Sequence, residues 1–143
     1  FIPSTLLLLA GGVLVALHPA EPIFRPADEI VAFESLAHQT SREVVVLSSY
    51  KTGNALPAWA PVFVVVGHGP ESVGLADLLP RIETFYQTGT PDSERIQLLH
   101  EQGVDSVFWG PHERALGGWD QNSAGFLSLV YDSEGYSLFA VSP

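Results

Sequence analysis

The chain has 143 residues, 46% hydrophobic and 15% charged, which suits one domain with a real core and excludes a disordered chain. Six Lys and Arg against sixteen Asp and Glu give a net charge of -10, which excludes the basic surface that nucleic acid requires and opposes adsorption to an anionic membrane face. Without Cys there is no disulfide framework, thiolate zinc site or cysteine nucleophile.

No Met is present, so Phe1 is not a translation start and the chain reads as a fragment of something longer. Residues 6–17 are almost wholly apolar but too few to span a bilayer, which takes about 20 residues. They lack the basic flank and small-residue cleavage site of a signal peptide. Two apolar runs around Gly11-Gly12 fit a hairpin, a buried helix or the stub of a membrane helix. The expectation is a segment that packs on the domain. Pro19, Pro22 and Pro26 then make an extended connector, so that residues 1–25 precede a core of 26–143.

A helix is predicted from Pro26, with Asp28 and Glu29 at the positive end of its dipole and Ile30, Phe33, Leu36 and Ala37 as its apolar stripe. Strand 43–49 follows, then a short crossover at 55–60 and strand 62–67. Residues 72–87 read as a helix that Pro80 kinks or divides. Thr90, Pro91 and Asp92 read as N-cap, first position and acidic first turn of the next helix. Its buried face holds Ile96 and Leu99, and Gly103 stops it. Strand 104–109 comes next. Residues 126–131 and 136–141 flank Asp132-Ser133-Glu134-Gly135 as a β-hairpin with Gly in the left-handed position. The order predicts an α/β fold: a small Rossmann-like layered domain with a mostly parallel sheet and a C-terminal antiparallel hairpin. The central strands are nearly all apolar, as strands covered on both faces are.

Three loops, 48–54, 67–71 and 110–114, each follow a predicted parallel strand and so leave one sheet edge, where open α/β sheets bind ligands. They hold the candidate ligand-binding residues Ser49, Lys51, Asn54, His68, Glu71, His112, Glu113 and Arg114. Trp119, between Gly118 and Asp120, is the most site-like of the three Trp for stacking on a sugar, and Trp109 reads as core.

Each motif has a plainer reading. Ser48-Ser49-Tyr50-Lys51 and Lys51-Thr52-Gly53 match strings of penicillin-binding enzymes, but one Lys would serve both and no Ser-Asp-Asn string exists. Gly67-His68-Gly69 is a weak phosphate loop, opposed by Glu71, and equally a tight turn. His68, Glu71, His112 and Glu113 are zinc-capable in type but sit on separate loops without helical spacing, and no metal or other cofactor is expected. Glu71, Glu113 and Asp120 could form a carboxylate pair, which abundance of acids explains as well. Arg114 could clamp an anion or pair with Glu113.

Residues 46–54 with Leu56-Pro57-Ala58, the run 67–71, the run 103–117 and the closing Leu129-Val130-Tyr131-Asp132 with Tyr136-Ser137-Leu138-Phe139 resemble the C-terminal soluble segment of large bacterial multispanning membrane proteins. Their membrane portions are similar to GT-C-type glycosyltransferases. The resemblance implies a soluble domain after the last membrane helix, facing the extracytoplasmic side, and no residue of this chain inherits a catalytic role from it. Its implied partners are the membrane-embedded portion of the same polypeptide and a glycan or lipid-linked sugar. The alternative is a self-contained ligand-binding or enzymatic module with its site at the strand ends.

Overall fold

The computed structural model describes residues 3–21, 23–39, 44–69 and 74–142. Its helices are α1 (Ser4–Leu17), α2 (Ala27–Gln39), α3 (Tyr50–Ala55), α4 (Leu75–Phe85), α5 (Asp92–Glu101) and α6 (Pro111–Leu116). Strands β1 (Val45–Leu47), β2 (Phe63–Val64), β3 (Ser106–Trp109), β4 (Leu127–Ser133) and β5 (Tyr136–Val141) form one sheet in the order β2-β1-β3-β5-β4.

Neighbouring side chains in a strand point to opposite faces of the sheet, and here each central strand feeds two cores. Leu47, Val107 and Phe139 join Ile82 and Phe85 of α4 and Leu98 and Leu99 of α5. Val46, Phe108 and Leu138 join Ala32, Phe33 and Leu36 of α2. The result is three layers, with α2 on one face and α4 and α5 on the other. The rings of Phe33 and Phe108 meet at 5.3 Å across one of these layers.

Strands β2, β1 and β3 run parallel, and β5 and β4 add the antiparallel hairpin. Its turn places both Glu134 (φ 49°) and Gly135 (φ 82°) in the left-handed region, as a two-residue type I′ connection requires. The β4 ladder is interrupted by a register shift between Leu129 and Tyr131.

Several sequence expectations are corrected. Residues 4–17 form a helix, but it does not pack on the domain: Pro3 to Ala20 are all exposed. Its apolar residues lie on every side, so no single stripe exists to dock. The loops expected at 48–54 and 110–114 wind into α3 and α6. Ser49 caps α3, its hydroxyl accepting the Thr52 N–H at 3.3 Å, and Pro111 opens α6 at a position where a missing N–H costs nothing. The crossover helix therefore begins at Tyr50, and only a 3₁₀ turn occupies Leu56–Ala58.

Edge strand β2 is two residues long and leaves Phe63 62% exposed. Pro80 lies inside one undivided helix, α4, while the expected start at Ser72, like Glu43 of the first strand, falls outside the described residues. Pro91, not Thr90, sits at the N-cap of α5; the Thr90 hydroxyl donates to the Thr84 carbonyl instead. Leu98 and Arg95 take the inner face with Leu99, and Ile96 is exposed.

Phe108→Ala is expected to cost about 3–5 kcal/mol, as for other large core deletions, whereas Phe63→Ala should stay within about 0.5 kcal/mol. Urea denaturation of both variants checks the contrast.

Candidate functional site

The chain passes from β1 to β2 on one side and then crosses to β3 on the other. The crevice between the C-terminal ends of β1 and β3 is thus the topological switch point, the usual ligand position in such a sheet. Here the protein fills it with its own groups. The Glu113 carboxylate, fully buried, accepts the Ser49 N–H at 2.7 Å on Oε1 and the Gly110 N–H at 3.0 Å on Oε2. It occupies the place an anion would take between the two turns. Beside it, the Tyr86 hydroxyl reaches the carbonyls of Leu47 at 3.3 Å and Phe108 at 3.2 Å, sharing one proton across both strand ends. Burial first, and the nearby Glu113 charge second, hold the Tyr86 phenol well above its ordinary pKa.

The third turn is fastened to the first. Asn54 Oδ1 accepts the His68 N–H at 2.7 Å, and its Nδ2 donates to the Tyr50 carbonyl at 2.9 Å. A Cβ on Gly53 would lie 1.9 Å from the Val66 carbonyl oxygen, and one on Gly67 would lie 2.6 Å from that of Gly53. Only glycine lets these two backbones touch. His68 itself takes φ 47°. Arg114 Nη1 donates to the Gly135 carbonyl at 2.7 Å and pins the hairpin turn to the same edge.

A charged strap crosses the outside of this edge. Arg25 Nη1 lies 3.0 Å from both carboxylate oxygens of Glu29 and 3.6 Å from Glu21, and its Nη2 donates to the Lys51 carbonyl at 3.0 Å. His112 Nε2 meets Glu21 Oε1 at 2.6 Å. The two carboxyls respond oppositely. Burial dominates at Glu29 and raises its pKa against the opposing pull of Arg25. At Glu21 burial also pushes upward, but the His112 hydrogen bond and the charges of His112, Arg25 and Lys51 together win and hold it below the ordinary 4.5. Ligand atoms of Glu21, Glu29 and His112 fall within 4.8 Å of one another, a donor set able in type to take a cation. Arg25 already supplies the positive charge between the carboxylates.

Of the residues singled out in the sequence, Ser49, Lys51, Asn54, His68, His112, Glu113 and Arg114 come together on this edge, and Glu71 lies outside the described residues. Trp119 is elsewhere: it is 6% exposed, stacks on Phe126 at 6.1 Å, and carries the Arg95 guanidinium 3.8 Å over its ring. Sequence reasoning missed Tyr86, whose hydroxyl acts only through tertiary contacts. It also missed the strap, although Glu21, Arg25 and Glu29 recur every four residues.

A cavity of about 300 Å³ opens at the edge between α3, α4 and α6, lined by Ser49, Lys51, Ile82, Glu83, His112 and Leu116 among others. A larger one, about 540 Å³, lies at the opposite end of the sheet beside Leu99, His100, Asp105 and Phe126. The smaller is the better candidate, because it lies at the carboxyl ends of the parallel strands and has polar groups, Lys51, Glu83 and His112, among its lining.

No family model matches the sequence, and no curated protein does. Among solved structures, the fold is similar to the C-terminal globular domain of an oligosaccharyltransferase from Archaeoglobus fulgidus, with a TM-score of 0.53 and 11% identity over 80% of this chain and 95% of that one. The likeness is one of fold.

Two outcomes test the edge. Glu113→Ala leaves two buried N–H donors without an acceptor, each worth about 1–3 kcal/mol, and a lower urea midpoint is expected. Glu21, with its depressed pKa, contributes stability above 4.5 that is lost as pH falls through its folded value. The stability gap between the natural chain and Glu21→Gln should therefore shrink on acidification, as read by urea titrations from neutral pH down to pH about 3.

Proposed function

We propose that this chain is a non-catalytic accessory domain of a membrane protein of glycosyltransferase type. One observation carries the reading: polar groups at the strand-end edge are taken up in holding the edge together. Glu113 and Asn54 bind backbone, Arg114 holds a turn, and Arg25 joins Glu29 to α3. A carboxylate clamped by two N–H groups is a poor general base, and among the described residues of this edge none is poised as a nucleophile beside one. The fold likeness to a domain of an oligosaccharyltransferase supports the same reading. So does α1, whose surface from Leu6 to Leu17 is apolar on every side and suits attachment to a membrane-embedded portion of the same polypeptide.

In this reading the domain faces the extracytoplasmic side. The cavity bearing Lys51 and His112 is the place where a glycan or lipid-linked sugar makes contact. Its volume of about 300 Å³ stands at the lower limit of small-molecule sites.

The size and cell fraction of the native polypeptide test this. An epitope placed after Pro143 is expected on a detergent-requiring protein much larger than the 15.4 kDa of this chain. A soluble product of about that size would overturn the reading.

A further inference from the structure

The wholly exposed α1 and the strap that follows it together fix which side of the domain meets whatever receives that helix. Leu6, Leu7, Leu8 and Leu9 are exposed by 55%, 60%, 77% and 64%, and successive helical residues point about 100° apart. Val13, Leu14 and Leu17 continue the same surface at 52%, 60% and 69%. No ionisable side chain interrupts Ser4–Leu17. A protein groove or a second copy covers one stripe of a helix and leaves the opposite side wet. Hydrocarbon covers every side at once, and a helix this apolar all round suits it. At 1.5 Å per residue, the 14 residues reach about 21 Å, most of the way through a hydrocarbon core of about 30 Å.

The ionisable groups begin only at His18 and Glu21, and among them Ile23 and Phe24 are 71% and 40% exposed. That mixture of charge and apolar side chains belongs at a headgroup boundary. Glu21 is four positions beyond Leu17, a backbone reach of about 14 Å at most. Glu21 is held on His112, and Arg25 is held on Glu29 and the Lys51 carbonyl. The helix therefore leaves the domain beside the C-terminal ends of β1 and β3, not beside the opposite end near His100.

We propose that the strand-end edge, with Lys51, His112 and the cavity between α3, α4 and α6, lies against the surface of the phospholipid bilayer that receives α1, held in that orientation by the Glu21–Arg25–Glu29–His112 strap. This rests on the reading of the chain as a domain attached to a membrane, and adds which face looks at the lipid. The cavity then opens toward the headgroup layer, where a lipid-linked ligand would reach it without leaving the bilayer.

The absence of Cys makes the test direct. Lys51→Cys and His100→Cys variants of the whole chain, both at exposed positions, each carry one nitroxide. They are mixed with phosphatidylcholine vesicles containing a nickel-chelating lipid. The expected result is flotation of both variants with the vesicles and a severalfold stronger relaxation enhancement at position 51 than at 100. Adding Glu21→Ala, whose urea transition is expected to stay cooperative at a midpoint lowered by the lost Glu21 contribution, should reduce that contrast. Flotation with equal or reversed enhancement overturns the orientation and leaves membrane attachment standing. Flotation with a contrast that Glu21→Ala does not change overturns the role of the strap. Failure to float, or self-association through α1 in its place, overturns both the orientation and the attachment.

Discussion

The Glu113 carboxylate is the point on which this sheet edge depends. Parallel strands end with backbone groups that need partners, and at a switch point two turns diverge and leave a gap between them. In many α/β proteins a ligand anion closes that gap. Here Glu113 closes it from within, accepting one N–H from the turn after β1 and one from the turn after β3. Gly110 has no side chain to accept the Glu113 N–H, so only the carboxylate half of a capping box forms, and the other carboxylate oxygen takes the Ser49 N–H, far away in sequence. Local helix capping and long-range closure of the sheet are thus one interaction. Tyr86 then bridges the two strand ends beneath it.

This closure moves the available chemistry outward. With the switch point filled, the polar groups that border the modest cavity, Lys51 and His112 among them, lie on the rim. Such a rim can hold and orient a partner, and it has no need of reactive groups to do so. The same rim carries the strap from the connector, so whatever meets the cavity also meets the chain that joins the domain to α1.

Much of the fold is legible in the sequence, because the relevant signals are local. The apolar runs of the central strands, the acidic start of α2 and the Asp132–Gly135 turn each appear as patterns over a few residues. Others are hidden by competing signals. Gly53 reads as a breaker, yet it lies within α3 because the backbone of Val66 passes against it. Pro111 followed by Glu113 was legible as a helix start, but its setting among Gly and His suggested a loop. Trp119 between small and polar residues resembles a surface aromatic, and only the distant Arg95 and Phe126 show that it is core. The candidate edge was visible as three turns after three strands. That its acid faces inward was not, since no sequence spacing links Glu113 to Ser49.

The shift in register within β4 bears on how such domains tolerate crowding. β4 is the outer strand of the hairpin and seven residues long, a length that would otherwise offer an incoming chain an extended template. The irregularity at Val130 divides it into three residues on either side, each too short to anchor a stable intermolecular pairing. At the other margin, β2 offers two residues. Copies held side by side at high local density therefore meet, among the described residues, no long unbroken edge strand on which a fibril could nucleate.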